Sequence, residues 1–332
     1  MAAAWRMSID PSCAEQRPDS SSRSSLKPQD TEADMAIRSV LLSTRPAFLI
    51  LTPICILLGA SIHLSATGET NLQLLILILL GALCAHISVN TLNEFTDFTS
   101  GLDLLTRKTP FSGGSGALPN NPSASNAVLI TGVSSLLITM AIGIYIMLNH
   151  AMTLLPLGLI GVLIIITYTR WINRSPWLCL LAPGFGFGIL MVCGTQLSLS
   201  GEYHAVTLWT TLPPFFLLNN LLLLNQYPDV QADAQVGRRT LPIVYGAKFS
   251  TRVYGISAAL AYTSIILAVL MNVFPTLSLI AVTPAAMSVV ALRGAIKLGL
   301  NIIHQPIYLA MNILAALSTP LLLAVSLLIS GV

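Results

Sequence analysis

Nine apolar stretches constrain the fold of this 332-residue chain more than any other feature, because each is close to the ~20 residues that cross a bilayer core. Charged residues make up only 9% of the chain, against roughly 25% in soluble domains. The predicted spans are 46–65, 72–93, 126–147, 152–170, 177–197, 206–226, 252–272, 275–292 and 307–330. The sequence therefore predicts an all-α membrane protein, with nine transmembrane helices in a single bundle around a central cavity.

The placement of basic residues predicts how this bundle is oriented. All 16 Lys and Arg fall in the N-terminal tail or near the connections that follow even-numbered spans. The connections 62–71, 148–151, 198–205 and 272–275 contain none. Because cytoplasmic loops carry the excess of basic residues, we expect a cytoplasmic N terminus and an external C terminus. In a bacterium, the chain would lie in the inner membrane.

The first 40 residues differ in composition from the rest of the chain. They are polar, rich in Ser, Asp and Arg, and contain no apolar core. This composition predicts a disordered tail over 1–40, with a bound regulatory arm as the alternative, followed by one membrane domain over 41–332. The five cysteines form no close pair, which argues against a disulfide framework and a zinc site.

Two similar acidic strings lie at the ends of spans two and six. Each begins with Asn-x-x-x-Asp, at Asn93 and at Asn225, and adds a second aspartate shortly afterwards. Carboxylates at the edge of a bilayer core are costly unless a cation compensates them. Oxygen ligands suit Mg²⁺, which commonly bridges carboxylates to substrate phosphates. The predicted metal ligands are Asp97, Asp103, Asp229 and Asp233. Helix capping, or pairing with nearby Arg residues, is the alternative interpretation.

The spacing within each string predicts how its side chains are presented. In the second string, steps of four place the asparagine and both aspartates on one helix face. In the first, Gly101 is a candidate helix ending that would turn Asp103 back toward Asp97. The strings are four spans apart and on the same side of the membrane. Two four-helix halves plus a final helix would bring both strings together over one central cavity.

Polar and basic residues near the strings are candidates to bind a diphosphate, since guanidinium groups suit bidentate phosphate contacts. The predicted contacts are Asn93, Lys108, Arg170, Asn225 and Arg239. For the basic residues among them the alternative is that they only mark cytoplasmic loops, which are rich in Lys and Arg in any membrane protein. The Gly- and Ser-rich segment 109–119 is interpreted as a lid rather than a passive linker, since its backbone amides could cradle an anion.

Together, these features resemble the UbiA superfamily of intramembrane prenyltransferases from about residue 40 onward. The first string reads Asn93-Glu-Phe-Thr-Asp-Phe-Thr-Ser-Gly-Leu-Asp103, and the second continues through Gly-Arg-Arg-Thr-Leu241. Both are most similar to the menaquinone-pathway branch, which joins a prenyl chain to dihydroxynaphthoate. Glu94 departs from the pattern, because the family usually has Asp at this position.

The resemblance implies a helical bundle with a lateral opening to lipid, two Mg²⁺ ions, a polyprenyl diphosphate and an aromatic acceptor. It implies ionisation at the prenyl C1, with Asp97, Asp229 and Tyr168 as catalytic residues facing the cytoplasm. The favoured acceptor is 1,4-dihydroxy-2-naphthoate, and hydroxybenzoate, homogentisate or a tetrapyrrole are alternatives. No nucleic acid and no obligatory protein partner are expected. From other functional classes, a cation-coupled secondary transporter and a catalytically silent scaffold remain open.

Overall fold

The computed structural model describes residues 32–106 and 113–330, and this part of the chain is helical, without strands. The main helices are α1 Glu32–Ser43, α2 Pro46–Thr67, α3 Leu72–Thr99, α4 Pro122–Asn149, α5 Met152–Thr167, α6 Pro176–Ser200, α7 Ala205–Asn225, α8 Leu241–Leu270, α9 Thr276–His304 and α10 Ile307–Ser330. Three further short helices are Leu102–Leu105, Ala117–Asn120 and Val230–Gln235. The predicted all-α class is confirmed.

Eight of these helices, α2 to α4 and α6 to α10, are long and apolar enough to cross a membrane. The fourth predicted span corresponds to α5, Met152–Thr167, which is apolar but shorter than the eight other helices. At 1.5 Å per residue it is about 24 Å long, less than the ~30 Å of a hydrocarbon core. The described residues therefore contain eight helices of spanning length where the sequence predicts nine.

The ordered structure begins within the segment predicted to be a disordered tail. Helix α1 starts at Glu32, and its residues Ser39 and Ser43 are buried. The Nδ2 of Asn121 donates a hydrogen bond to the hydroxyl oxygen of Ser39 at 3.2 Å, which ties α1 to the turn before α4. Helix α1 therefore overlaps the last part of the segment predicted as a tail, and residues 1–31 lie outside the described part.

Two local signals set the bounds of α3, the helix that carries the first acidic string. Its N-cap, Asn71, accepts a hydrogen bond from the backbone N–H of Leu74 at 3.0 Å, which satisfies one free donor of the first turn. After Thr99 the chain turns at Gly101, whose φ of 78° is readily adopted only by glycine. Asp103 then lies on the short helix Leu102–Leu105, turned back toward Asp97 as the sequence predicts.

Helices α6 and α7 approach each other closely where α6 contains wide π-type turns over Gly184–Met191. A Cβ at Gly184 would collide with the carbonyl oxygen of Phe215, and one at Gly188 would lie 2.5 Å from the Phe215 nitrogen. Glycine is therefore required at both positions. Gly186, on the same turns, has open space instead and lines the cavity described below.

The largest buried apolar cluster lies between α2, α7, α8 and α10, where Leu58, Leu218, Ile265 and Leu323 are at most 1% exposed. The cavity lies beside this cluster, and its lining residues fall between Leu42 and Thr240. It is lined mainly by α2 to α7, while α8, α9 and α10 pack behind them. The two predicted halves therefore do not line the cavity equally, because the later helices bury their apolar faces against α2 and α7.

Candidate active site

A cavity of about 890 Å³ extends between α2 and α7, with one polar end and a long apolar arm. The arm is lined by aliphatic side chains of α4, α5 and α6, such as Ile142, Leu159 and Leu190. The polar end lies where α3 and α7 finish. The charged residues lining it, in the described part of the chain, are Arg45, Asp97, Asp103, Asp229, Asp233 and Arg238.

Arg238 joins the two acidic strings at this polar end. Its Nη1 donates to Asp233 Oδ1 at 3.0 Å, and its Nη2 donates to Asp97 Oδ1. The three side chains are largely withdrawn from solvent, with exposures of 17% for Arg238, 7% for Asp97 and 4% for Asp233. Because one guanidinium reaches both carboxylates, the two strings lie within a single side chain's width of each other. Their predicted convergence is confirmed.

Asp97 is held in orientation by two further residues. The Nδ2 of Asn93, one helical turn earlier, donates to Asp97 Oδ2 at 2.8 Å. The hydroxyl of Thr169, just after α5, donates to the Oδ1 of Asn93 at 3.1 Å. The chain Thr169–Asn93–Asp97 therefore fixes both the amide and the carboxylate, and it couples the end of α5 to α3.

The other two predicted ligands lie against the glycine-rich segment. The backbone N–H of Gly113 donates to Asp229 Oδ2 at 3.1 Å. A Cβ at Gly114, whose φ is +70°, would lie 2.9 Å from Asp103 Oδ1. The Oδ2 of Asp103 is buried without a hydrogen-bond partner. Burial, reinforced by the negative charges of Glu94 and Asp97, raises the pKa of Asp103 to about 7. Burial also raises the pKa of Asp233, against the opposing effect of Arg238.

The donor atoms at the polar end fit a hard divalent cation. Five carboxylates (Glu94 and the four aspartates) and two guanidiniums (Arg45 and Arg238) meet here, so the described carboxylates outnumber the guanidiniums by three. Asp103 Oδ2 and Asn225 Oδ1 are buried oxygens without partners, which a cation could satisfy. In the arrangement seen here, Arg238 bridges Asp97 and Asp233, and no three His, Cys, Asp or Glu of the described residues are grouped closely enough to share one ion.

The predicted diphosphate contacts fall into two groups. Asn93, Asn225 and the predicted catalytic residue Tyr168 line the cavity. Arg170 and Arg239 are exposed and do not line it, and Lys108 lies outside the described residues. The role of Arg170, Arg239 and Lys108 in binding a diphosphate therefore stays a prediction.

The cations that do face the cavity are Arg238 and Arg45, neither of which was predicted as a contact. At Gly237 the chain adopts a φ of 78°, which turns Arg238 inward, while the N–H of Arg239 is used by the carbonyl of Asn173 at 2.9 Å. Arg45 precedes the first span, far in sequence from either string. Its one signal is its position as the last basic residue before an apolar run.

His86 lies deeper along α3 and also lines the cavity. Its Nδ1 is 2.9 Å from the hydroxyl oxygen of Thr52, and its ring packs edge-on against Phe187 with centroids 4.6 Å apart. His86 is therefore a buried, hydrogen-bonded histidine within the helical bundle. About 16 Å of helix separates it from Asp97, which places it beside the apolar arm rather than the acids.

A model of the UbiA prenyltransferase family matches residues 52–299, which is most of the chain. The chain belongs to this family. It is therefore a prenyltransferase and a multi-pass integral membrane protein, as the two acidic strings and the apolar spans predict. The match covers both strings together with Arg238, while Arg45 and α1 lie before it.

Among curated proteins, the chain is similar to 1,4-dihydroxy-2-naphthoate octaprenyltransferase of Bacillus subtilis (strain 168). The two are 27% identical over 222 residues, which is 66% of this chain and 70% of the relative. The predicted resemblance to the dihydroxynaphthoate prenyltransferase branch is confirmed by this match.

Two solved structures share the fold. One comes from a structural and mechanistic study of digeranylgeranylglyceryl phosphate synthase in membranes, with a TM-score of 0.61, 16% identity, and coverage of 88% of this chain and 99% of the other. The second is a UbiA homologue from Archaeoglobus fulgidus bound to DMAPP and Mg²⁺, with a TM-score of 0.60, 13% identity, and coverage of 84% and 99%. At these identities the likeness establishes the fold alone.

Proposed function

We propose that this prenyltransferase transfers a polyprenyl group from an isoprenyl diphosphate to an aromatic quinone precursor in a Mg²⁺-dependent reaction. The observation that carries the proposal is the convergence of the two acidic strings on Arg238, at the polar end of an otherwise apolar cavity. A diphosphate headgroup and an isoprenoid chain need these two environments side by side.

The polar end would bind the diphosphate through metal ions and protein cations. Mg²⁺, when bound, would neutralise the diphosphate and stabilise the negative charge that develops on the leaving oxygen. The residues that would hold it are Asp97, Asp103, Asp229 and Asp233, with the unpartnered Oδ1 of Asn225 as a further donor. The apolar walls exclude water, so each electrostatic contact made here is stronger than in solution.

Arg238 has a second role in this proposal. In this structure its guanidinium pairs with both Asp97 and Asp233. Once these carboxylates bind a cation, the guanidinium is free to turn toward the diphosphate, where it would form bidentate contacts. Arg45 and Tyr168, which also line the cavity, would provide further contacts to the diphosphate. The C1–O bond breaks with both electrons going to the diphosphate, and a carbon of the electron-rich acceptor ring then bonds to C1. That ring carbon loses its hydrogen as a proton, or its carboxylate as CO₂, so the ring becomes aromatic again.

The apolar arm would take the prenyl chain. Four glycines line it with no atom within 4 Å of where a Cβ would stand, namely Gly143, Gly158, Gly186 and Gly194. Their missing side chains widen the arm along α4, α5 and α6. This widening supports a long polyprenyl donor rather than a single isoprene unit.

We favour 1,4-dihydroxy-2-naphthoate as the acceptor, because the Bacillus subtilis relative is named for this substrate. Hydroxybenzoate, homogentisate and a tetrapyrrole are the alternatives within the same reaction. The proposed orientation puts the polar end on the cytoplasmic side, in agreement with the distribution of the 16 basic residues. In a bacterial cell this would be the inner membrane.

The test is transfer of label from a radiolabelled polyprenyl diphosphate to each of these acceptors by the purified full chain in detergent. We expect label in a prenylated naphthoate product, no transfer in EDTA, and recovery when Mg²⁺ is restored. Asp229→Ala should abolish transfer, whereas Glu69→Ala, an exposed acid outside the cavity, should not change it. Transfer that persists in EDTA would exclude the metal role, and a preference for another acceptor would exclude the naphthoate.

A further inference from the structure

Glu94 is the one carboxylate of the first string that does not line the cavity. It is 0% exposed, although its neighbours Asn93 and Asp97 both face the cavity. On an α-helix, successive residues are rotated by about 100°, so Glu94 points away from the face shared by Asn93 and Asp97. A residue oriented in this way has a different function from the ligands beside it.

The partners of Glu94 come from two distant segments. Its Oε2 accepts a bond from Arg45 Nη2 at 3.1 Å. The backbone N–H of Ser115 lies 3.1 Å from Oε1 and 3.2 Å from Oε2, and the Ser115 hydroxyl also donates to Oε1. Both carboxylate oxygens are thus engaged by protein donors.

The two segments that Glu94 holds form the wall of the polar end. Arg45 lines the cavity and forms the corner between α1 and α2, with a φ of 53° that is costly for a residue with a Cβ. Its Nε–H is buried without an acceptor, so it has an unused donor. Ser115 belongs to the segment 113–116, whose neighbouring glycines contact Asp229 and approach Asp103. Glu94 therefore connects the α1–α2 corner to a segment that lies across both acidic strings.

We propose that Glu94 is a positioning residue that latches Arg45 and segment 113–116 onto the diphosphate end of the cavity, and that it is not a metal ligand. This inference rests on the proposed function, since it assigns the diphosphate as the anion that the unused Nε–H of Arg45 would meet. The length of the side chain matters. An aspartate would be one carbon, about 1.5 Å, shorter and could not reach Ser115 and Arg45 together.

The latch and a metal ligand make opposite demands on residue 94. A ligand needs charge, which Glu94→Asp preserves and Glu94→Gln removes. The latch to Ser115 needs reach, which Glu94→Gln preserves through its amide oxygen and Glu94→Asp loses. We therefore compare both variants by hydrogen–deuterium exchange of the peptide over 113–117, in the full chain in detergent without Mg²⁺ or substrate. Peptides from the α10 core serve as an internal reference.

We expect exchange over 113–117 to be at least about tenfold faster in Glu94→Asp than in Glu94→Gln. The shorter Asp loses the contacts to Ser115, whereas the amide oxygen of Gln still accepts a neutral hydrogen bond there. Kinetically, the KM for polyprenyl diphosphate should rise about tenfold in both variants, since each disturbs the pair with Arg45. The half-saturating Mg²⁺ concentration should change by less than about twofold. Ser115→Ala, which leaves Glu94 and Arg45 in place, should also loosen the segment.

Unchanged exchange in Glu94→Asp would overturn the latch. So would a tenfold rise in half-saturating Mg²⁺ confined to Glu94→Gln, which is the signature of a ligand. If Glu94→Asp does not fold, Ser115→Ala alone decides, and wild-type exchange in that variant counts against the proposal. Because exchange is measured without substrate, the latch can hold even if no acceptor is prenylated, in which case only the proposed function fails.

Discussion

Replacing Arg238 by glutamine should destabilise the metal-free protein far more than it destabilises the Mg²⁺-bound protein. The guanidinium pairs with two carboxylates that are 7% and 4% exposed, so its removal leaves both negative charges buried beside each other. Breaking a buried pair by removing one partner costs about 3–5 kcal/mol. At about 2 °C per kcal/mol for a large domain, the melting temperature in EDTA should fall by about 6–10 °C.

Mg²⁺ should reverse most of this loss, because a cation bound by Asp97 and Asp233 supplies the charge that Arg238 provided. The increase in the free energy of unfolding follows the mass-action rule for a ligand that binds only the folded state. The assay is thermal unfolding in detergent with EDTA and with millimolar Mg²⁺. Arg239→Gln is the matched control, since this exposed neighbour removes the same charge outside the cavity and should behave as wild type. Equal melting of Arg238→Gln and wild type in EDTA would refute the bridging role.

Three further predictions concern the metal ligands and the apolar arm. Burial, Glu94 and Asp97 raise the pKa of Asp103 to about 7, so protons compete with the metal for this carboxylate below that pH. With Mn²⁺ in place of Mg²⁺ and no diphosphate present, the half-saturating metal concentration should rise about tenfold from pH 8 to pH 6. Asp103→Asn should lose this pH dependence, and an unchanged profile in wild type would contradict it. Asn93→Ala should raise half-saturating Mg²⁺ about 10- to 100-fold in the transfer assay, since Asp97 loses the amide that orients it. Gly143→Leu should fill the open space in the arm and lower kcat/KM for an octaprenyl donor at least about tenfold, while a dimethylallyl donor is unaffected. An equal loss of kcat/KM for both donors would show that the prenyl chain does not bind in this arm.

The sequence was sufficient to predict features that follow from a single physical constraint. Bilayer thickness sets the length of the apolar stretches, and eight of the nine predicted spans correspond to helices of spanning length. The turn at Gly101 follows from the conformational freedom of glycine, and it returns Asp103 toward Asp97. The convergence of the strings was predictable because both lie at equivalent ends of spans on one side of the membrane.

Features that depend on two distant segments were not predictable in this way. Arg45 and Glu94 are 49 positions apart, and nothing local to either residue indicates the pair. The choice between Arg238 and Arg239 depends on the φ of Gly237, because a change in one backbone angle decides which of two adjacent side chains faces inward. The predicted fourth span, 152–170, also runs three residues past the end of α5 at Thr167, because nothing in the sequence marks where this helix stops before Arg170.

The charge balance of the polar end explains why these missed residues matter. The described carboxylates exceed the described guanidiniums by three charges, so a diphosphate approaching the metal-free site would meet net repulsion. Two Mg²⁺ ions would bring +4, enough to offset the excess and free Arg238 for the anion. On the proposed function Arg238 would link the two states, because it pairs with Asp97 and Asp233 in this structure and would be displaced by a bound metal. A site with this balance should bind its metal before, or together with, the diphosphate.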